Sequence, residues 1–137
     1  MSKVSLFNTI PSLVYNQLDK TRALQLKQRN NIRCIVSYSI KKKKLLNSVV
    51  EINGYIIFSM HSKYIQVDIH HADNKATLGN LMYSMEKYAK IQKMQCVRLF
   101  VTTSEDLYEI ARSRGYLYMN YDDKTVLCFK YIPSSAL

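Results

Sequence analysis

The sequence predicts an α/β (α+β) fold, a sheet flanked by helices, in one domain over residues 1–137. Three observations carry this. From Ile65 to Val101 the chain reads as strand, polar turn, long amphipathic helix and strand, a crossover unit that needs a sheet to pack on. Short runs rich in Ile, Val and Tyr precede it, and a short helix closing on Gly115, then two more strands, follow it. At 137 residues, with 47% hydrophobic and 22% charged residues, the chain can bury a real core, and it has no apolar run of bilayer length. The opening Met1-Ser2-Lys3-Val4-Ser5 lacks the apolar stretch of a secretory signal. A cytoplasmic, intracellular protein without a membrane partner is expected.

Val4 and Leu6 alternate with polar neighbours as a short edge strand that ends at Asn8-Thr9. Thr9 before Ile10-Pro11 marks a helix start. Ile10, Leu13, Val14 and Leu18 fit a helical stripe, and Ala23, Leu24 and Leu26 continue it or begin a second helix after Asp19-Lys20, until Asn30-Asn31. Ile32 to Ile40 is a strand, and Lys41 to Lys44 form an exposed turn. Within Val49 to Phe58, Asn53-Gly54 between two β-prone runs predicts a two-residue hairpin turn.

In the crossover, Ile65, Val67 and Ile69 alternate with Gln66, Asp68 and His70, which puts Asp68 and His70 on one polar face. After a turn at His71 to Lys75, Leu78, Leu81, Met82, Met85 and Ala89 form the apolar stripe of a helix over Ala76 to Lys93. Its N-terminus, with unpaired backbone N–H groups at the end of the first strand, is suited to an anion such as phosphate. Cys96 to Val101 is the second strand. Thr103 and Asp106 have capping-box spacing, Leu107, Ile110 and Ala111 face inward, and Gly115 ends the helix. Tyr116 to Tyr118 and Thr125 to Tyr131 are the last strands, around a turn at Tyr121 to Lys124.

Charge is uneven. Through Lys44 there are ten Lys and Arg against one acid, Asp19, giving +9; from Leu45 on there are ten against nine, giving +1. Lys20, Arg22, Lys27, Arg29, Arg33, Lys41, Lys42, Lys43 and Lys44 are therefore the candidate contacts to a polyanion, nucleic acid or an acidic protein, the other reading being a solvated basic surface. Eleven tyrosines are scattered through the strands, and a base-stacking platform would need several of them on one face. Cys34, Cys96 and Cys128, odd in number and each in a strand, read as free thiols. His70-His71 has no further ligands in a metal-binding spacing, and no metal is expected.

From about Val49 to Tyr131 the order of elements resembles the GNAT superfamily of N-acyltransferases. Val49 to Phe58 resembles that family's second and third strands across their turn, Tyr64 to His71 its fourth strand, and Arg114-Gly115-Tyr116 the Gly-Phe after its last helix. The resemblance implies a mixed, mostly antiparallel central sheet flanked by helices, with an N-terminal helical segment, and acetyl-CoA as acyl donor to an amine. Counting from Ile69, the positions matching the family's pyrophosphate motif are Asn74, Thr77 and Gly79, followed by Asn80, and Gly79 alone keeps the family's residue type. The position of the tyrosine that protonates the leaving thiolate holds Ala111, with Tyr108 one turn earlier. Asp68 or His70 stands where a general base is expected. Two functions follow: an acetyl-CoA-dependent N-acyltransferase, or an inactive GNAT-like binding protein whose basic N-terminal third contacts nucleic acid or an acidic protein.

Overall fold

A computed structural model describes residues 2–42 and 48–133. Eleven elements follow one another: β1 (Ser2–Phe7), α1 (Ser12–Tyr15), α2 (Lys20–Lys27), β2 (Ile32–Lys42), β3 (Ser48–Met60), β4 (Tyr64–Ala72), α3 (Lys75–Ile91), β5 (Cys96–Val101), α4 (Asp106–Ser113), β6 (Leu117–Asn120) and β7 (Val126–Tyr131). The strands form one sheet in the order β1-β2-β3-β4-β5-β7-β6. Every adjacent pair is antiparallel except β4 and β5, which α3 links as a crossover.

Each sheet face has its own core. On one, α3 lays Leu78, Leu81, Met82, Met85 and Ala89, the expected stripe, against Ile56, Phe58, Ile65, Val97 and Leu99, and α4 adds Leu107, Ile110 and Ala111. On the other, Val14 and Leu26 from α1 and α2 cover Cys34, Val36, Tyr55 and Ile57. The N-terminal helical stripe divides accordingly. Val14, Ala23 and Leu26 are buried, whereas Leu13 and Leu24 face solvent. Pro11, not Thr9, precedes the first turn, and Asp19 caps α2 by accepting the Arg22 N–H.

The hairpin expected at Asn53-Gly54 is absent: both residues lie inside the continuous strand β3. Asn53 is an extra residue, since Ser37 pairs with Gly54 and Tyr38 with Ile52. A bulge has replaced a turn. The Asn53 amide donates to Ser2 Oγ and Ser39 Oγ. A Cβ on Gly54 would stand 2.7 Å from the His71 carbonyl oxygen and 2.9 Å from Ala72 Cα, so glycine is there to admit the end of β4. The resemblance of Val49 to Phe58 to two strands across a turn is corrected with it. Of the turn expected at Lys41 to Lys44, Lys41 and Lys42 instead extend β2, paired with Val49 and Ser48, and Lys43 and Lys44 lie outside the described residues.

Gly115 takes φ +88° just past α4, the left-handed conformation its position demands. The α4 start differs from the expected capping box. Glu105 is the N-cap residue, and its carboxylate reaches back to the Thr102 N–H at 2.8 Å. Cys34 and Cys128 are buried free thiols, and burial pushes the Cys34 thiol up to about 12.

Candidate functional site

β4 and β5 pair only from Tyr64 with Cys96 to Val67 with Leu99. Beyond that β4 continues to Ala72 and β5 to Val101, so the strands part into a fork, with the first turn of α3 at its upper end. The bulge that starts the fork is in β4. Ile57 pairs with Ile69 and Phe58 with Val67, which leaves Asp68 without a cross-strand partner.

That extra residue changes the phase of the strand. Before it, Ile65 and Val67 join the α3-side core; after it, Ile69 packs on the α1/α2-side core. Asp68 and His70 consequently do not share a face, contrary to the plain alternation. His70 lines a cavity of about 210 Å³ with His71, Ala72, Leu78, Glu105 and Asp106, between the end of β4, the first turn of α3 and the entry to α4. Asp68 stands in a polar group with Ser59, His61, Arg22 and Arg29.

The two environments differ in sign. Burial lowers the His70 pKa, with Glu105 and Asp106 working against it and His71 adding to it. Burial raises the Asp68 carboxyl, while the Ser59 hydroxyl and the charges of Arg29, Arg22 and His61 pull it down and lose. Asp68 Oδ2 is buried with no hydrogen-bond partner among the described residues. The Arg22 guanidinium donates to the Asp68 carbonyl oxygen at 3.2 Å, and Ser59 Oγ lies 3.1 Å from His61 Nε2. A carboxyl whose pKa burial raises, beside a gap in the sheet, is suited to proton transfer.

At the α3 start, Asn74 is the N-cap: its side-chain oxygen accepts the Thr77 N–H at 2.8 Å and its carbonyl accepts that of Leu78. The first of these satisfies one orphan donor of the helix start, and the second is the first regular bond of the helix. Lys75 pairs with Glu109 of α4 at 2.7 Å, and His71 lies 3.8 Å from Asp73. A Cβ on Gly79 would meet nothing within 4 Å, so no packing in this chain demands glycine there. Asn80 is exposed.

Tyr108 does not line the fork cavity. Its hydroxyl accepts from Arg112 at 3.1 Å, and its ring meets Tyr118 edge-on at 6.2 Å between centroids. The basic candidates are dispersed. Lys20, Arg22 and Lys27 are on α2, with Arg29 just past it. Arg33 sits opposite Phe58, on the α3 side of the sheet, with its guanidinium on the Asn30 and Ile32 carbonyls. Lys41 pairs with Glu51 at 2.9 Å, and Lys42 is at the far end of β2.

Ser59, His61 and Glu105 were not foreseen as neighbours of the site. No local spacing marks them, because cross-strand pairing and the fold of α4 bring them in. Glu86 was missed too. Buried on α3, it accepts from Arg114 at 2.9 and 2.8 Å, Lys130 at 3.1 Å and the Tyr116 hydroxyl at 3.0 Å. The described residues hold no group of three or more His, Cys, Asp or Glu placed to bind a metal, and none of their helices is long and apolar enough to cross a membrane.

A mostly antiparallel seven-stranded sheet, with one parallel pair that forks beside the start of a crossover helix, is the fold of the GNAT superfamily of N-acyltransferases, and this chain has it. Among solved structures it is similar to a Bacillus subtilis acetyltransferase in complex with CoA (TM-score 0.73, 9% identity, 97% of this chain and 100% of that one). It is similar also to the ribosomal-protein-S18-alanine N-acetyltransferase of Escherichia coli (0.71, 12%, 99% and 96%). A third is the Campylobacter jejuni N-acetyltransferase PseH in complex with acetyl coenzyme A (0.67, 13%, 96% and 99%). No protein-family model and no curated protein sequence matches the chain.

Proposed function

We propose that the fork between β4 and β5 receives the acyl arm of acetyl-CoA and that the protein transfers the acetyl group to an amine. The observation that carries this is the end of β4–β5 pairing at Val67 and Leu99 while both strands run on. Such a slit leaves backbone N–H and C=O groups free for an extended chain to pair with. Two of the similar structures were solved with CoA or acetyl-CoA. Gly79, with open space where its side chain would be, permits phosphate to approach the helix start, which would offset the cost of about 1 kcal/mol that a helical glycine carries against alanine.

The residues fit the acyl arm better than the phosphates. Asn74 already occupies the Thr77 N–H, and Glu105 and Asp106 line the mouth. Ile69, Asn74, Thr77, Gly79 and Asn80 are the proposed contacts.

Acetyl-CoA would supply the thioester whose carbonyl carbon an amine nitrogen attacks, with loss of the CoA thiolate. Asp68 is the base in this proposal. It stands where the strands part, has one buried oxygen unpaired among the described residues, and burial raises its pKa above the ordinary carboxyl value. His70, on the other face, lines the donor side. Tyr108 is left as a thiolate acid only if α4 shifts, because its hydroxyl is held by Arg112.

Isothermal titration with acetyl-CoA, followed by thiol release with a panel of amines, tests the proposal. Saturable binding and a large loss of turnover in Asp68→Asn, with binding retained, are expected. No binding at millimolar acetyl-CoA would leave the second reading, a binding protein on a GNAT fold, which the capped helix start and the acidic mouth favour.

A further inference from the structure

Helices α1 and α2 cover only part of their sheet face: their core includes residues of β2, β3 and β4 and, among the described residues, none of β5, β6 or β7. The strand register shows what the bare part displays. Arg98 and Phe100 of β5 pair with Phe129 and Leu127 of β7, Cys96 with Tyr131, and Leu117 of β6 with Phe129. Their sequence neighbours Val97, Leu99, Val126 and Cys128 belong to the core on the opposite face. The bare face therefore carries Phe100, Phe129 and Tyr131, joined by Tyr121, whose ring meets Phe100 edge-on at 4.8 Å, and by Tyr64. Arg98 lies 4.0 Å over the Tyr64 ring and bonds its hydroxyl and Gln66. Tyr131 and Tyr121 are 68% and 65% exposed, too open for core residues.

We propose that this aromatic sheet face, on the same side of the sheet as the cations of α2, binds single-stranded nucleic acid by base stacking. Phe100, Tyr121, Phe129 and Tyr131 on a single face form a stacking surface that any base can use, whereas the Tyr64 ring is already stacked with His61 at 4.4 Å and Arg98 at 4.0 Å. Charge of the required sign lies on the same side of the sheet. Lys20, Lys27 and Arg29 are exposed on or just after α2, which lies on this same side of the sheet, in a protein of net charge +10. A duplex hides its base faces, so the surface selects single strands. The proposal is independent of acetyl transfer, and acetyl-CoA is left out of its test.

The test is fluorescence anisotropy with a labelled oligothymidylate of about twelve nucleotides, within the span that single-strand-binding grooves cover, and with a duplex of equal length. Tyr131→Ala and Tyr121→Ala should each weaken single-strand binding roughly 5- to 100-fold, as loss of one stacked base does, while Tyr131→Phe keeps the parent affinity. Replacing Lys20, Lys27 and Arg29 with Gln should flatten the salt dependence by about two units of slope. Because both tyrosines are exposed, the variants should fold, and circular dichroism checks this. Equal affinity for duplex, or alanine variants that bind like the parent, would overturn the proposal. So would a dimer in sedimentation that Tyr131→Ala dissociates, which would assign the face to a second copy of the chain.

Discussion

Replacing Glu86 with glutamine removes the charge on which three elements converge. Arg114 follows α4, Tyr116 precedes β6 and Lys130 is in β7, and all donate to this carboxylate on α3. Glutamine keeps one acceptor oxygen and turns an amide donor toward groups that are themselves donors. Removing one partner of a buried pair costs about 3–5 kcal/mol. Arg114 and Lys130 side chains are 25% and 29% exposed and recover some hydration, so about 2–4 kcal/mol is expected here. Burial by itself would raise the Glu86 pKa, but the hydrogen bonds from Arg114 and Lys130 outweigh it and hold the carboxyl below its ordinary value. A depressed folded-state pKa stabilises fully above the unfolded value of about 4.3, and that stability is lost as pH falls through the folded one. Urea unfolding of parent and Glu86→Gln should therefore differ by the full amount from pH 5 upward, and the gap should shrink in acid. A neutral-pH gap below about 1 kcal/mol, or one that persists undiminished in strong acid, would refute the argument.

Gly54→Ala should destabilise by about 1–3 kcal/mol and widen the top of the fork, because its Cβ meets backbone atoms that cannot turn aside; a variant as stable as the parent in urea would contradict the close approach. Gly79→Ala should do the opposite, raising stability by about 0.5–1 kcal/mol while weakening acetyl-CoA in titration. If affinity is unchanged, phosphate does not approach there. Asp68→Asn should also stabilise at neutral pH, by about 1 kcal/mol. The Asp68 carboxyl, raised mainly by burial, is costly when ionised, and this cost is present above its folded pKa and absent below the unfolded value near 3.9. Thermal melts at several pH values should show the gain vanishing in acid, and a gain that grows in acid would reverse the assignment.

Local pattern alone determined most of the elements. The three-four spacing of Leu78, Leu81, Met82, Met85 and Ala89 identifies the buried stripe of α3, and Gly115 marks the end of α4, since helical periodicity and a left-handed turn are properties of short stretches. The order of elements also carried the resemblance that the fold bears out. Cross-strand pairing decided the rest. Asn53-Gly54 satisfies a hairpin turn and a bulge equally well by composition, and the approach of His71 and Ala72 selects the bulge. One extra residue at Asp68 sends it and His70 to opposite faces, a change of phase invisible in an alternating string because it exists only relative to β3. Glu86 looks like any helical acid until residues 28 to 44 positions away close around it, and the aromatic residues of β5 and β7 become one surface only when the sheet places them side by side. Periodicity is set by neighbours in the chain, whereas a site is set by neighbours in space.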